Sequence, residues 1–246
     1  MGKVLLTVQY DGTRYHGWQV QPNGITVQET LQNAVETVCG VRYGITGCSR
    51  TDTGVHARRF YCTMDRPTKP SVEALVKALN ANLPDDVAVL ACREVPEMFH
   101  PRYSAQGKRY TYYIWNGPVR SPFYKEHSLY VRSRLDETAL NETAKLFLGT
   151  HDFSAFCSAG SSVEDKHRTV TRSEVTREGD MVLYTVEADG FLYNMVRILV
   201  GTLLDVHSGR LDRESVLKAL ESGQRELAGV TAPPQGLFLD EVFYTL

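Results

Sequence analysis

An α+β fold with a mainly antiparallel sheet flanked by helices is the class this sequence predicts, and three observations predict it. Segments with the two-residue period of strands and segments with the 3.6-residue period of helices are both present. They do not alternate with the regularity that a parallel strand–helix–strand sheet demands. No linker or low-complexity run divides the 246 residues, enough for one large domain or two subdomains with a cleft between them. The expected division is an N-terminal α/β subdomain over residues 1–105 and a C-terminal one over 106–246.

The first element is KVLLTVQY, where Val4, Leu6, Val8 and Tyr10 alternate with Lys3, Leu5, Thr7 and Gln9. A turn-rich loop, DGTRYHGWQVQPNG, follows. Thr26 with Glu29 three residues on forms a capping box, and Val27, Leu31, Ala34, Val35 and Val38 line a helix that stops at Gly40. A loop holding Asp52 leads to a strand near RRFYCTM, then a helix from Ser71 to about Asn80, then the strand DVAVLACREV. The first half therefore reads β-α-β-α-β.

The second half opens with the strand GKRYTYYIW, with Lys108, Tyr110, Tyr112 and Ile114 on one face and Arg109, Thr111, Tyr113 and Trp115 on the other. After SLYVR comes a helix capped by Asp136, with Leu140, Ala144, Phe147 and Leu148 on its apolar side. TVTRSEVTREGDMVLYTVEADG reads as a hairpin turning at Gly179 and Asp180. A strongly apolar helix over about Leu192–Val206 comes next. A shorter helix starts at Asp212, stapled by Leu211 and Val216. GLFLDEVFY closes the chain as a strand.

Composition narrows the function. Hydrophobic content of 42% and charged content of 23% are those of a packed globular protein. The longest apolar stretch, FLYNMVRILVGTLL, is interrupted by Asn194 and Arg197, and MGKVLLTVQYDG is too short and too alternating for a signal peptide. A soluble cytoplasmic protein with no membrane partner is expected. Five cysteines without a CxxC pair read as buried reduced thiols. His56, His100, His151, His167 and His207 are too scattered for a metal site, so no metal is expected. With a net charge of −2, binding to a polyanion needs local positive charge. Such charge clusters at Arg58 and Arg59, at Lys108 and Arg109, and at Lys166, Arg168, Arg172 and Arg177, interleaved with tyrosines. Together these lean toward nucleic acid.

Two residues raise a question of chemistry. Arg197 lies within a helix that is apolar nearly all round, where an unpaired guanidinium costs several kcal/mol, so it needs a carboxylate. Asp52 lies in the loop GCSRTDTG, whose bounding glycines permit backbone geometries that push a side chain outward. The alternative for Asp52 is an Asx-turn that merely shapes the loop. Asp52-Thr53-Gly54 also spells the aspartic-protease signature. That chemistry needs two carboxylates sharing a proton, and the chain has no second Asp-Thr/Ser-Gly.

RTDTGVHA at residues 50–57, KRYTYYI and FLYNMVRILVGTLLDV resemble the TruA family of tRNA pseudouridine synthases. So do YDGTRYHGWQVQ, LNANLPDDVAV, FHPRYSA, GTHDFSAF and APPQGLFLDEV, in the family's order from about residue 3 onward. The sequence departs from the family pattern at RRFYC, at Pro101 and at His207.

The resemblance implies the pseudouridine synthase fold and makes Asp52 the catalytic aspartate. By the same resemblance Arg50 is a basic residue that helps bring the uridine out of the RNA, Tyr110 stacks on the uracil, and Arg197 pairs with the aspartate. It implies isomerisation of uridine in the anticodon stem and loop of tRNA, with no cofactor, in a homodimer. Arg58, Arg59, Lys108, Arg109, Lys166, Arg168 and Arg172 are the candidate RNA contacts. A non-catalytic structured-RNA-binding protein would use the same surfaces with no need of Asp52. A carboxylate-dependent glycosidase would need a second acid across the bond, and only Asp52 has a suggestive setting.

Overall fold

A computed structural model describes residues 2–245. In chain order the elements are β1 (Lys3–Tyr10), α1 (Val27–Cys39), β2 (Thr46–Gly47), β3 (His56–Asp65), α2 (Val72–Asn80), β4 (Val87–Val95) and β5 (Gly107–Trp115). They continue with β6 (Leu129–Tyr130), α3 (Glu137–Ala144), β7 (Gly149–Asp152), β8 (His167–Glu178), β9 (Met181–Ala188), α4 (Met195–His207), α5 (Arg213–Ser222) and β10 (Leu237–Phe243). The chain forms two compact units, one running to Gln106 and resuming at Phe238, the other Gly107–Leu237.

In the first unit the strands lie in the order β4-β1-β3-β10, with β1 antiparallel to both neighbours and β2 paired to β3. Val4, Leu6 and Val8 are fully buried, and so is Leu5 on the opposite face. α1 begins where expected: Thr26 Oγ1 accepts the Glu29 N–H at 3.3 Å, and the helix ends at Gly40, whose φ of 69 is left-handed. α2 is capped by Ser71 and packs on β4. The closing strand is a correction to the sequence reading, which assigns it to the second subdomain. β10 runs parallel to β3, with Phe238 opposite His56 and Leu239 opposite Ala57, because a strand joins the edge whose hydrogen-bonding groups need partners, whatever its place in the chain.

The second unit holds an antiparallel sheet in the order β5-β9-β8-β7, with β6 parallel beside β5. Tyr112 and Tyr184 face each other in register at its centre, both buried. Each satisfies its hydroxyl: Tyr112 donates to the Pro233 carbonyl at 2.7 Å, and Tyr184 lies 3.0 Å from Ser173 Oγ. The hairpin turns at Gly179 and Asp180 as expected. α3 packs on β8 and on α4. It ends earlier than its apolar pattern suggests: the chain tightens into a 3₁₀ turn over Lys145–Phe147, which keeps Phe147 buried and leaves Leu148 41% exposed. No described helix is long and apolar enough to cross a membrane.

Candidate active site

Asp52 lies in the loop between β2 and β3. The loop leaves the sheet after Cys48, whose N–H donates to the Tyr61 carbonyl at 2.8 Å, and re-enters at His56. Between them the Val55 N–H donates to the Asp52 carbonyl at 3.1 Å, closing a turn across Thr53 and Gly54. The segment after β1 holds this turn. Tyr10 and Thr51 share a hydroxyl–hydroxyl bond of 2.8 Å, Trp18 N–H donates to the Thr51 carbonyl at 3.1 Å, and Gly54 N–H donates to the Tyr15 carbonyl at 3.3 Å.

Gly17, at φ 80, lets the two backbones meet; a Cβ there would stand 2.5 Å from the Thr51 carbonyl oxygen. Thr51 is thereby buried and fixed through both its side chain and its carbonyl, and Asp52 follows it half-buried. His56, 1% exposed, accepts the Gly12 N–H on Nδ1 at 3.0 Å and stacks on Phe238 at 4.4 Å. Arg50, two residues before Asp52, is exposed. Sequence reasoning missed the part played by Tyr10, Gly17 and Thr51. For Tyr10 and Gly17 the signal lies in YDGTRYHGW, which reads as a strand end, a turn-rich loop and a family motif without a role in holding the Asp52 turn.

Tyr110 and Arg197 belong to the second unit. Tyr110 is buried on β5, opposite Val186 of β9, with its ring edge-on to Phe191 at 5.0 Å. Arg197 corrects one expectation. The helix begins at Met195 rather than near Leu192, so Arg197 stands in its first turn, where the side chain reaches beyond the helix end. Nε donates to the Ala232 carbonyl at 2.7 Å and Nη1 to Asn194 Oδ1 at 2.9 Å, while the Ala232 N–H returns a bond to the Arg197 carbonyl at 3.0 Å.

The segment carrying Ala232 lies along α4. Gly229 N–H donates to Thr202 Oγ1 at 2.8 Å, and Val230 N–H donates to Asp205 Oδ2 at 3.1 Å. Burial pushes the nearby Tyr112 hydroxyl well above its ordinary range, with the Arg197 cation acting the other way.

The basic residues do not form one continuous run of unengaged charge. Arg58 pairs with Asp240 at 3.1 Å and lies over the Phe238 ring; Arg59 pairs with Glu241 at 3.1 Å. Arg109 and Arg172 converge on Glu187, at 2.7 and 3.3 Å, because β9 lies between their strands. Arg172 also pairs with Glu174. Lys166 Nζ lies 3.8 Å from Cys157 Sγ, and Arg168 donates to the Asp165 carbonyl at 3.0 Å. Lys108 is half-buried on β5. Arg177 pairs with Glu137 at 2.9 Å and bonds Asn116 and the Leu135 carbonyl, a structural tie within its own unit.

Residues 6–104 and 143–245 match the family described as tRNA pseudouridine synthase. The chain belongs to that family. The matched segments include Asp52 and Arg197, and Tyr110 lies in the stretch between them. Similarity to individual members of the tRNA pseudouridine synthase family is continuous across that stretch. "tRNA pseudouridine synthase A" of Thermoanaerobacter sp. is 44% identical over 244 residues, 99% of this chain and 100% of that one. The protein of the same name from Acetivibrio thermocellus is 43% identical over 99% of this chain and 100% of its own. That of Halalkalibacterium halodurans is 43% identical over 96% and 90%.

Proposed function

We propose that this protein isomerises uridine to pseudouridine in the anticodon stem and loop of tRNA, with Asp52 as the carboxylate that opens the reaction. The observation that carries the reading is likeness along the full length to proteins named tRNA pseudouridine synthase A. Substrate and product have one formula, so the isomerisation calls for no oxidant or reductant. The glycosidic bond opens, the base turns, and it rejoins through carbon. One ionised carboxylate serves the opening step, by attack on base or sugar or by taking a sugar proton.

The target base leaves its stack at a cost of a few kcal/mol, recovered by stacking on Tyr110 and by contacts from cations to phosphate. Arg50, exposed beside the Asp52 turn, serves the extrusion of the nucleotide. Arg197 pairs with Asp52 and keeps it ionised. Arg58, Arg59, Lys108, Arg109, Lys166, Arg168 and Arg172 supply the RNA contacts; those held by carboxylates exchange that partner for a phosphate. The enzyme works as a homodimer in the cytoplasm.

Transcribed tRNA tritiated at uridine C5 tests the reading. Rearrangement at C5 releases the label as water, whereas binding alone, the outcome for a non-catalytic RNA-binding protein, releases none. Absence of release from every tRNA of a matched set would overturn the proposal.

A further inference from the structure

Asn194 is the one non-glycine residue, among those described, with left-handed backbone, at φ 60 and ψ 8. At a helix N-cap an asparagine ordinarily takes extended backbone and turns its oxygen onto the N–H of the second or third helical residue. Asn194 occupies the N-cap of α4, the third helical residue is Arg197, and no such side-chain cap forms. The amide is used elsewhere. Oδ1 accepts from Arg197 Nη1 at 2.9 Å, and Nδ2 donates to Ser158 Oγ at 2.9 Å.

A guanidinium only donates, so the oxygen must face Arg197 and the NH₂ must face the hydroxyl. Ser158 is itself tethered, its N–H donating to the Tyr193 carbonyl at 3.0 Å. A residue that adopts a sparsely populated backbone conformation and forgoes its cap weakens the helix start on both counts. Such outliers cluster where geometry serves function.

We propose that Asn194 is a positioning residue for the isomerisation: with the Ala232 carbonyl it fixes the plane of the Arg197 guanidinium. This rests on the roles of Arg197 and Asp52 proposed above.

Asn194→Gly suits the left-handed backbone and removes the acceptor, while Asn194→Asp tolerates that backbone and keeps an oxygen in the same place. In the tritium-release assay Asn194→Gly should lower kcat about tenfold with KM within about twofold, the scale of one hydrogen bond to a charged group. Asn194→Asp should recover kcat to within about threefold of wild type, since the acceptor is restored. Thermal unfolding of Asn194→Gly should be no earlier than that of wild type, which a purely structural role would not give. Wild-type kcat in Asn194→Gly, or Asn194→Asp as slow as Asn194→Gly, overturns the assignment. Arg197→Met and Asp52→Asn run alongside: if either turns over like wild type, the pair itself is misread and the inference falls with it. If both are impaired while Asn194→Gly is not, only the assignment to Asn194 falls.

Discussion

In the proposed reaction a single side chain, Asp52, carries the chemistry, and the residues that hold it differ from it in kind. Thr51 is anchored by Tyr10 and by the Trp18 N–H, so the turn presenting Asp52 is held by groups to which the proposed reaction gives no part in proton or bond transfer. Asp52→Asn is nearly isosteric and leaves those bonds in place, so it should fold and bind tRNA like wild type and release no tritium, since an amide is neither base nor nucleophile. Turnover near wild type would remove Asp52 from the mechanism. Tyr110 is tested differently. Phe at this position retains the ring that meets Phe191 and should bind and turn over nearly as well, whereas Ala should cost roughly 1 to 3 kcal/mol of base stacking in tRNA affinity. If Tyr110→Phe loses as much as Tyr110→Ala, the hydroxyl has a role of its own.

Among the elements, α4 is the one whose packing sets the surroundings of Arg197. Gly201 lies where the segment ending at Ala232 crosses it, and a Cβ there would stand 1.7 Å from the Val230 carbonyl oxygen. Helix propensity alone favours Gly201→Ala by about 1 kcal/mol. The overlap is with backbone, which cannot rotate away, and forcing it costs roughly 1 to 3 kcal/mol or more. The second effect should win: urea unfolding of Gly201→Ala should show a lower midpoint at unchanged slope, and kcat should fall because Ala232 moves from Arg197 Nε. A more stable variant would mean that the crossing segment yields freely.

For the molecule as a whole, the buried phenols set a limit in alkali. Burial, then the hydrogen bond to Glu241, pushes Tyr61 up to about 12, and burial pushes Tyr112 and Tyr184 up as well. In the unfolded chain these groups ionise near the ordinary value of about 10. A raised folded value contributes stability that is complete below the unfolded pKa and is lost as pH rises through the folded one. Stability should therefore fall from about pH 10, with Tyr61's share gone once pH passes about 12. The tyrosinate absorbance of the buried phenols should rise in step with the loss of the circular-dichroism signal of the fold. A single tyrosinate transition with the fold intact would contradict this. The proposed homodimer is checked by sedimentation at micromolar concentration: a sole monomer with full activity would exclude it, and a dimer that dissociates together with activity is the expected result.

Read alone, the sequence determined whatever depends on neighbours along the chain. The period of β1, the Thr26 and Asp136 caps, the Gly40 stop and the turn at Gly179 are local energetics, and each falls where the pattern puts it. The resemblance carried by the ordered motifs singled out Asp52, Tyr110 and Arg197 for the roles proposed here. Tertiary structure decided what depends on partners far apart in sequence. β10 joins β3 across about three quarters of the chain, and strands as short as β2 and β6 form only because a longer strand offers them hydrogen bonds. The cradle of the Asp52 turn is built from residues some forty positions away. Asn194 takes a left-handed backbone that few asparagines adopt at a helix start, and the partner its amide NH₂ meets there, Ser158, lies thirty-six positions away.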